Sequence, residues 1–127
     1  MPSKRIANLF RKVRTRRQPG LIPFVTVGFP DVDTTMELVP ALENAGADAI
    51  ELGVPFSDPM ADGPTIQRAS YHALSRGVTL RHCLQVCYQL RLKGVQIPIV
   101  LMGYYNPVLS YGVEVFAQDA TAAGIDG

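Results

Sequence analysis

The sequence predicts an α/β fold built on a parallel sheet, of the kind found in parallel α/β barrels. Two observations predict it. Short apolar runs bounded by turn residues fall at 21–28, 49–53 and 97–103 and read as strands. Capped, helix-like stretches fall between them, and strands that alternate with helices argue for βα units.

The elements follow in order. Lys4, Arg5, Arg11, Lys12, Arg14, Arg16 and Arg17 all precede the first acidic residue, Asp31, and Ile6, Leu9, Phe10 and Val13 recur among them at helical spacing. A nucleic-acid or targeting arm would use such charge. The apolar stripe needs a surface to bury against, so the favoured reading is an amphipathic helix laid on the floor of a barrel. In 21–28, Ile22, Phe24 and Thr26 share one face, opposite Leu21, Val25 and Val27. Residues 33–45 read as a helix capped by Asp33 or a neighbouring Thr, stopped by Gly46 and kinked at Pro40. In 49–53, Ile50 and Leu52 form a bulky face that should pack under helices, while Ala49, Glu51 and Gly53 line the other. A short helix over 65–75 closes at Gly77, and a longer one from Thr79 to about Lys93 stops at Gly94. Residues 94–113 carry no charge, but Pro98, Gly103, Asn106, Pro107 and Gly112 exclude a membrane span and leave a buried strand plus a loop. Residues 112–123 form the last helix.

The helix-to-strand junction Ala45-Gly46-Ala47-Asp48-Ala49 has an echo in Ala123-Gly124-Ile125-Asp126-Gly127, where a fourth strand is due. Three parallel strands leave two open edges, and barrels of this type need ~250 residues. The expectation is therefore that residues 1–127 are the N-terminal part of a single barrel domain, truncated before the fourth strand.

Composition narrows the class. Hydrophobic content is 47% and net charge +1, which suits a folded core and gives no bulk argument for nucleic acid or membrane. No secretory apolar stretch follows Met1. Cys83 and Cys87, four apart beside His82, read as a packed helix face rather than metal ligands, and nothing suggests a disulfide framework; a cytoplasmic protein is expected. Phosphate-loop and dinucleotide glycine patterns are absent, and Ser57 lacks a nucleophile elbow.

The chemistry concentrates in residues 51–67, ELGVPFSDPMADGPTIQ. Glu51 sits at the C-terminal end of a strand, where parallel barrels hold their active sites. Asp62 follows across a loop shaped by three prolines and two glycines. Two nearby carboxylates, one in apolar surroundings, suit acid/base work. Burial is expected to fit Glu51 to donate as well as accept. The competing reading pairs Glu51 with a buried Arg or Lys for structure.

This segment closely resembles the signature of the tryptophan synthase α subunit family. PFVTVGFP at 23–30 and LMGYYNP at 101–107 are similar to two further family segments, in the same order, and the resemblance runs from about Phe10 to the last residue. It implies a (β/α)8 TIM barrel, of which about three βα units and an N-terminal helix are present. It also implies a lyase of tryptophan biosynthesis that cleaves indole-3-glycerol phosphate by a retro-aldol step to indole and glyceraldehyde 3-phosphate. Glu51 looks like the catalytic acid/base and Asp62 like the acceptor for the indole N–H. Phe24 and Tyr104 look like pocket residues against the indole, with plain core packing as the alternative. Pro55, Asp58 and Asn106 lie in loops that resemble the family's contact surface for a β subunit, in an α2β2 heterotetramer. No metal or organic cofactor is implied for this chain; pyridoxal phosphate belongs to the β subunit. The loops that grip phosphate in such barrels follow strands 7 and 8, so the 127-residue chain alone is expected to have little or no activity. Two alternatives stay open: a non-catalytic half-barrel module that contacts a β subunit, and another phosphate-binding barrel lyase or isomerase. The residue 51–67 loop counts against the second.

Overall fold

A computed structural model describes residues 3–127. The element order is α1 (Lys4–Arg16), β1 (Phe24–Thr26), α2 (Val32–Asn44), β2 (Ile50–Gly53), α3 (Pro64–Ser75), α4 (Leu80–Leu92), β3 (Ile99–Met102), α5 (Tyr105–Tyr111) and α6 (Val113–Ala122). The three strands form one parallel sheet in the order β1-β2-β3. Among the described residues no helix is long and apolar enough to cross a membrane.

The faces divide as the alternation predicts. Ile50, Leu52 and Ile99 are completely buried and Val25 nearly so, packed with Val39, Ala73, Val86, Cys87 and Leu90 of the helices. On the opposite face, register pairs Phe24 with Glu51 and Glu51 with Val100, so the three form one row across the sheet. Cys83 and Cys87 are buried in the core face of α4, as the packed-face reading has it. Burial pushes the Cys83 thiol up and the Cys87 thiol up to about 12, which leaves both as packing groups.

Several sequence expectations are corrected. β1 and β3 are shorter than their apolar runs, whose outer residues lie outside the paired register, while β2 keeps all of 49–53 but Ala49. α2 begins one residue early, and its cap is Asp31, whose carboxylate accepts the Thr34 N–H at 2.7 Å. Pro40 lies inside α2 without ending it. A proline at 40 cannot donate to the Met36 carbonyl; Lys93 Nζ donates to that carbonyl instead, at 3.4 Å. The loop expected after β3 contains a seven-residue helix, α5, whose starting proline pattern reads equally as a loop. In α1, Leu9 is buried and Ile6 and Val13 half-buried, but Phe10 is 52% exposed, so the stripe is narrower than the spacing suggested.

Helices α2, α4 and α6 leave for the sheet by the same turn. Gly46, Gly94 and Gly124 adopt positive φ, and the next residue donates its N–H to a carbonyl five positions back (Leu42, Leu90 and Ala120). Two of these turns then place an aspartate. Asp48 donates its backbone N–H to Leu21 O at 2.8 Å and accepts the Leu21 N–H on Oδ2 at 2.8 Å. Asp126 does the same with Ile99, at 2.9 Å both ways. The sequence echo is therefore one repeated junction, and beside β3 a further bond runs from Leu101 N–H to Gly127 O. α1 is tied to both aspartates. The Arg16 guanidinium donates twice to Asp48, at 2.6 and 2.7 Å, and Arg5 and the Ser3 hydroxyl donate to Asp126. Arg91 completes the second junction, donating to Asp126 at 2.7 Å and to the carbonyls of Val95, Ile97 and Gly124.

The Arg16 guanidinium and the Leu21 N–H hold the Asp48 carboxyl below the ordinary carboxylate range. Burial pushes Asp126 up, but hydrogen bonds from Ser3, Ile99 and Arg5 and the charge of Arg91 outweigh it, and this carboxyl too lies low. A carboxylate depressed in the folded state stabilises it above the unfolded value, about pH 4, and that contribution is lost as pH falls through the folded value. The urea unfolding midpoint should therefore fall as pH is taken below about 4. Asp126→Ala, which strands the buried Arg91, should cost about 3 kcal/mol at pH 7 and flatten that acid limb.

Candidate active site

The loop between β2 and α3 is held at both ends and in the middle. Pro64 takes the first turn of α3, where its missing N–H costs nothing, after Gly63 at the cap. Within the loop, Met60 N–H donates to Asp58 O at 2.8 Å and Asp62 N–H to Pro59 O at 3.1 Å. The Ala61 N–H donates to the Tyr104 hydroxyl at 2.8 Å, and the Tyr104 ring stacks on Phe56 at 5.1 Å between centroids. From α3, Gln67 Nε2 donates to Pro59 O at 3.1 Å and to Asp62 O at 3.0 Å.

This bracing encloses a cavity of about 180 Å3 at the C-terminal ends of the strands, lined by Phe24, Thr26, Gly53, Asp62, Ile66, Ser70 and Tyr104 among others. Phe24, Asp62 and Tyr104 are thus brought together. The Phe24 ring lies across Gly53, so closely that a Cβ there would stand 2.5 Å from Phe24 Cζ. Glu51 is half-buried on the same sheet face, level with Phe24 and two residues below Gly53, and does not line the cavity itself. The deep burial expected for it is not met, because its face of the three-stranded sheet carries no covering layer of helices. A larger cavity of about 710 Å3 adjoins this one across Val54, Gly103 and Tyr104, beside Leu101, Tyr105, Phe116 and Ile125, and contains neither Glu51 nor Asp62. Size alone would point there; Asp62, with Glu51 two residues below Gly53 on the same sheet face, identifies the smaller one.

The acidic residues separate sharply by their partners. Of the seven that are buried or half-buried, five accept hydrogen bonds: Asp31 from Thr34, Glu43 from Gln96 and Ile97, Asp48 from Arg16 and Leu21, Asp119 from Tyr111, and Asp126 from Ser3, Arg5, Arg91 and Ile99. The Glu51 and Asp62 side chains accept none and make no ion pair among the described residues. Among the described residues no Arg or Lys pairs with Glu51. Both are half-buried with carboxylates open to solvent, and no donor among the described residues competes with a ligand for them.

Of the remaining sequence candidates, Asp58 and Asn106 are exposed, Asn106 in the first turn of α5 rather than a loop, and Pro55 is buried. Met60, 90% exposed, stands beside Asp58 on the same loop. Among the described residues no three His, Cys, Asp or Glu side chains gather as a metal set. Sequence reasoning missed Thr26, Ser70 and Gln67. Thr26 was available from the alternation that selects Phe24, and Ser70 from its helical spacing to Ile66.

The sequence matches the family model described as tryptophan synthase alpha chain over residues 10–127. It is 54% identical over 123 residues to the tryptophan synthase alpha chain of Roseiflexus castenholzii, covering 97% of this chain and 47% of that one. The fold is similar to the crystal structure of tryptophan synthase subunit alpha from Legionella pneumophila, with TM-score 0.95 and 42% identity over 98% of this chain and 48% of that chain. It is also similar to a chain of tryptophan synthase from M. tuberculosis in an aminoacrylate-bound form, with TM-score 0.89 and 41% identity over 97% and 49%. The chain spans about half the length of the curated relatives it matches, so its sheet is part of a TIM barrel.

Gly53→Ala should force the Phe24 ring out of its seat at a cost of about 1–3 kcal/mol. A second substitution, Phe24→Leu, should recover part of that loss, and urea unfolding of the two variants measures it.

Proposed function

The chain belongs to the tryptophan synthase alpha chain family, and on that premise we propose that it supplies the acid/base half of a lyase site which the complete protein uses to cleave indole-3-glycerol phosphate. The observation that carries the reading is the pair of unengaged carboxylates, Glu51 and Asp62, at the C-terminal end of a parallel sheet.

In this reading Glu51 delivers a proton to the indole carbon that bears the glycerol chain. The Asp62 carboxylate accepts the ring N–H and stabilises the positive charge the ring gains on protonation. The carbon–carbon bond then breaks, its electron pair returns to the ring, and the adjacent glycerol hydroxyl gives up its proton to Glu51 and becomes the aldehyde. The proton count closes: one leaves Glu51 and one returns. The products are indole and glyceraldehyde 3-phosphate. Phe24 and Tyr104 form aromatic walls for the ring, with Phe24 seated on Gly53.

The half-reaction asks for no metal or organic cofactor on this chain. The phosphate would be held by loops outside residues 1–127, since such barrels grip it after strands 7 and 8. That remote grip helps position the reacting carbon, so the 127-residue chain alone should release little or no indole. A β subunit carrying pyridoxal phosphate is the proposed partner, in an α2β2 assembly. Exposed Asp58, Met60 and Asn106 offer the accessible part of the contact, with Pro55 shaping the loop from beneath.

In a complete chain carrying these residues, Glu51→Gln should lower indole release by at least about 10²-fold while binding to the β subunit persists. Indole assay and co-elution with a β subunit test this together. Retained activity would refute the acid/base role, and loss of binding alone would favour a non-catalytic contact module.

A further inference from the structure

Gln67 lies outside the cavity, yet its side-chain amide reaches the two carbonyls that bracket the loop segment ending in Asp62. Pro59 O receives both Gln67 Nε2 and the Asp62 N–H, so one carbonyl ties the loop to itself and to α3. The second N–H of the same amide goes to the carbonyl of Asp62 itself. Gln67 is half-buried in the first turns of α3, a 12-residue helix that packs on β1. The opposite side of the loop is held through a single bond, Ala61 N–H to the Tyr104 hydroxyl. Among the described residues the Asp62 carboxylate has no donor of its own, so its placement depends on this backbone.

We propose that Gln67 is the positioning residue for Asp62: its two amide donors fix the loop backbone so that the unengaged carboxylate is aimed into the cavity without being neutralised by a direct hydrogen bond. Asparagine is one methylene shorter and reaches at most one of the two carbonyls. Glutamate keeps the length but opposes a carboxylate to two carbonyl oxygens. This deepens the lyase reading and rests on it for its kinetic consequence.

The test uses a complete chain carrying residues 1–127. Gln67→Glu, nearly isosteric, should lower kcat for indole release about 100-fold, as a displacement of ~1 Å does, with KM little changed. The same substitution in an Asp62→Asn background should cost less than about 3-fold, because the two act through one group. Gln67→Ala should repeat the pattern. Equal losses in both backgrounds, or no loss, would overturn the proposal, as the residue would then serve stability or nothing. If the unsubstituted complete chain releases no indole, the lyase reading falls and the positioning claim is decided by amide hydrogen exchange. Several-fold faster exchange at Ala61 and Asp62 in Gln67→Glu supports it, and unchanged exchange overturns it.

Discussion

The register of the parallel sheet is set at its lower end by two carboxylates. A strand entering a parallel sheet can slip, and a slip of one residue turns every side chain to the wrong face. Asp48 and Asp126 block the slip by closing a two-bond ring with one residue of the neighbouring strand region, Leu21 and Ile99 respectively, through backbone N–H and side-chain oxygen together. The third junction lacks the aspartate. Gln96 stands at the equivalent place after Gly94, and the Glu43 carboxylate reaches from α2 to take the Gln96 and Ile97 N–H groups. Each junction thus solves the same problem, an unpaired N–H where helix gives way to strand, with an acid supplied locally or from a neighbour.

Fixing the register fixes which side chains can do chemistry. With β2 locked between β1 and β3, Ile50 and Leu52 must lie under the helices and Glu51 must emerge beside Phe24 and Val100. The helix α1 reinforces this from below, since Ser3 and Arg5 at its start meet Asp126 and Arg16 at its end meets Asp48. Two of the seven basic residues of the N-terminus, Arg5 and Arg16, are therefore engaged in holding the strand starts, as a helix laid on the barrel floor requires.

The fold was largely legible because its signals are local. Alternation in 49–53 gave the two faces of β2, glycine after the last helical residue gave the ends of α2, α4 and α6, and the Gly-x-Asp echo marked a repeated junction. What stayed hidden depends on partners far along the chain. Lys93 compensates Pro40 by donating to Met36 O, 57 positions away in sequence, and nothing in PALENA announces it. Asp31 rather than Asp33 caps α2 because backbone geometry, not residue type, chooses between two nearby acids. α5 was missed because a proline in the first turn of a helix and a proline in a loop look alike in sequence. At the site, Glu51 and Asp62 were readable as chemistry, while Gln67 was not: its role appears only once α3 folds back beside the loop.

The cavity also shows why these two carboxylates are informative beyond their spacing. Leaving a buried polar group without a partner costs about 1–3 kcal/mol, and the other half-buried or buried carboxylates of this chain all meet donors. Asp126 has four donors, and Glu43 crosses between elements to meet two. Along the loop itself Ala61 N–H and Asp62 N–H are accepted, and the carbonyls of Pro59 and Asp62 receive donors. A loop braced at both Pro59 and Asp62 that leaves one carboxylate open is not loosely made.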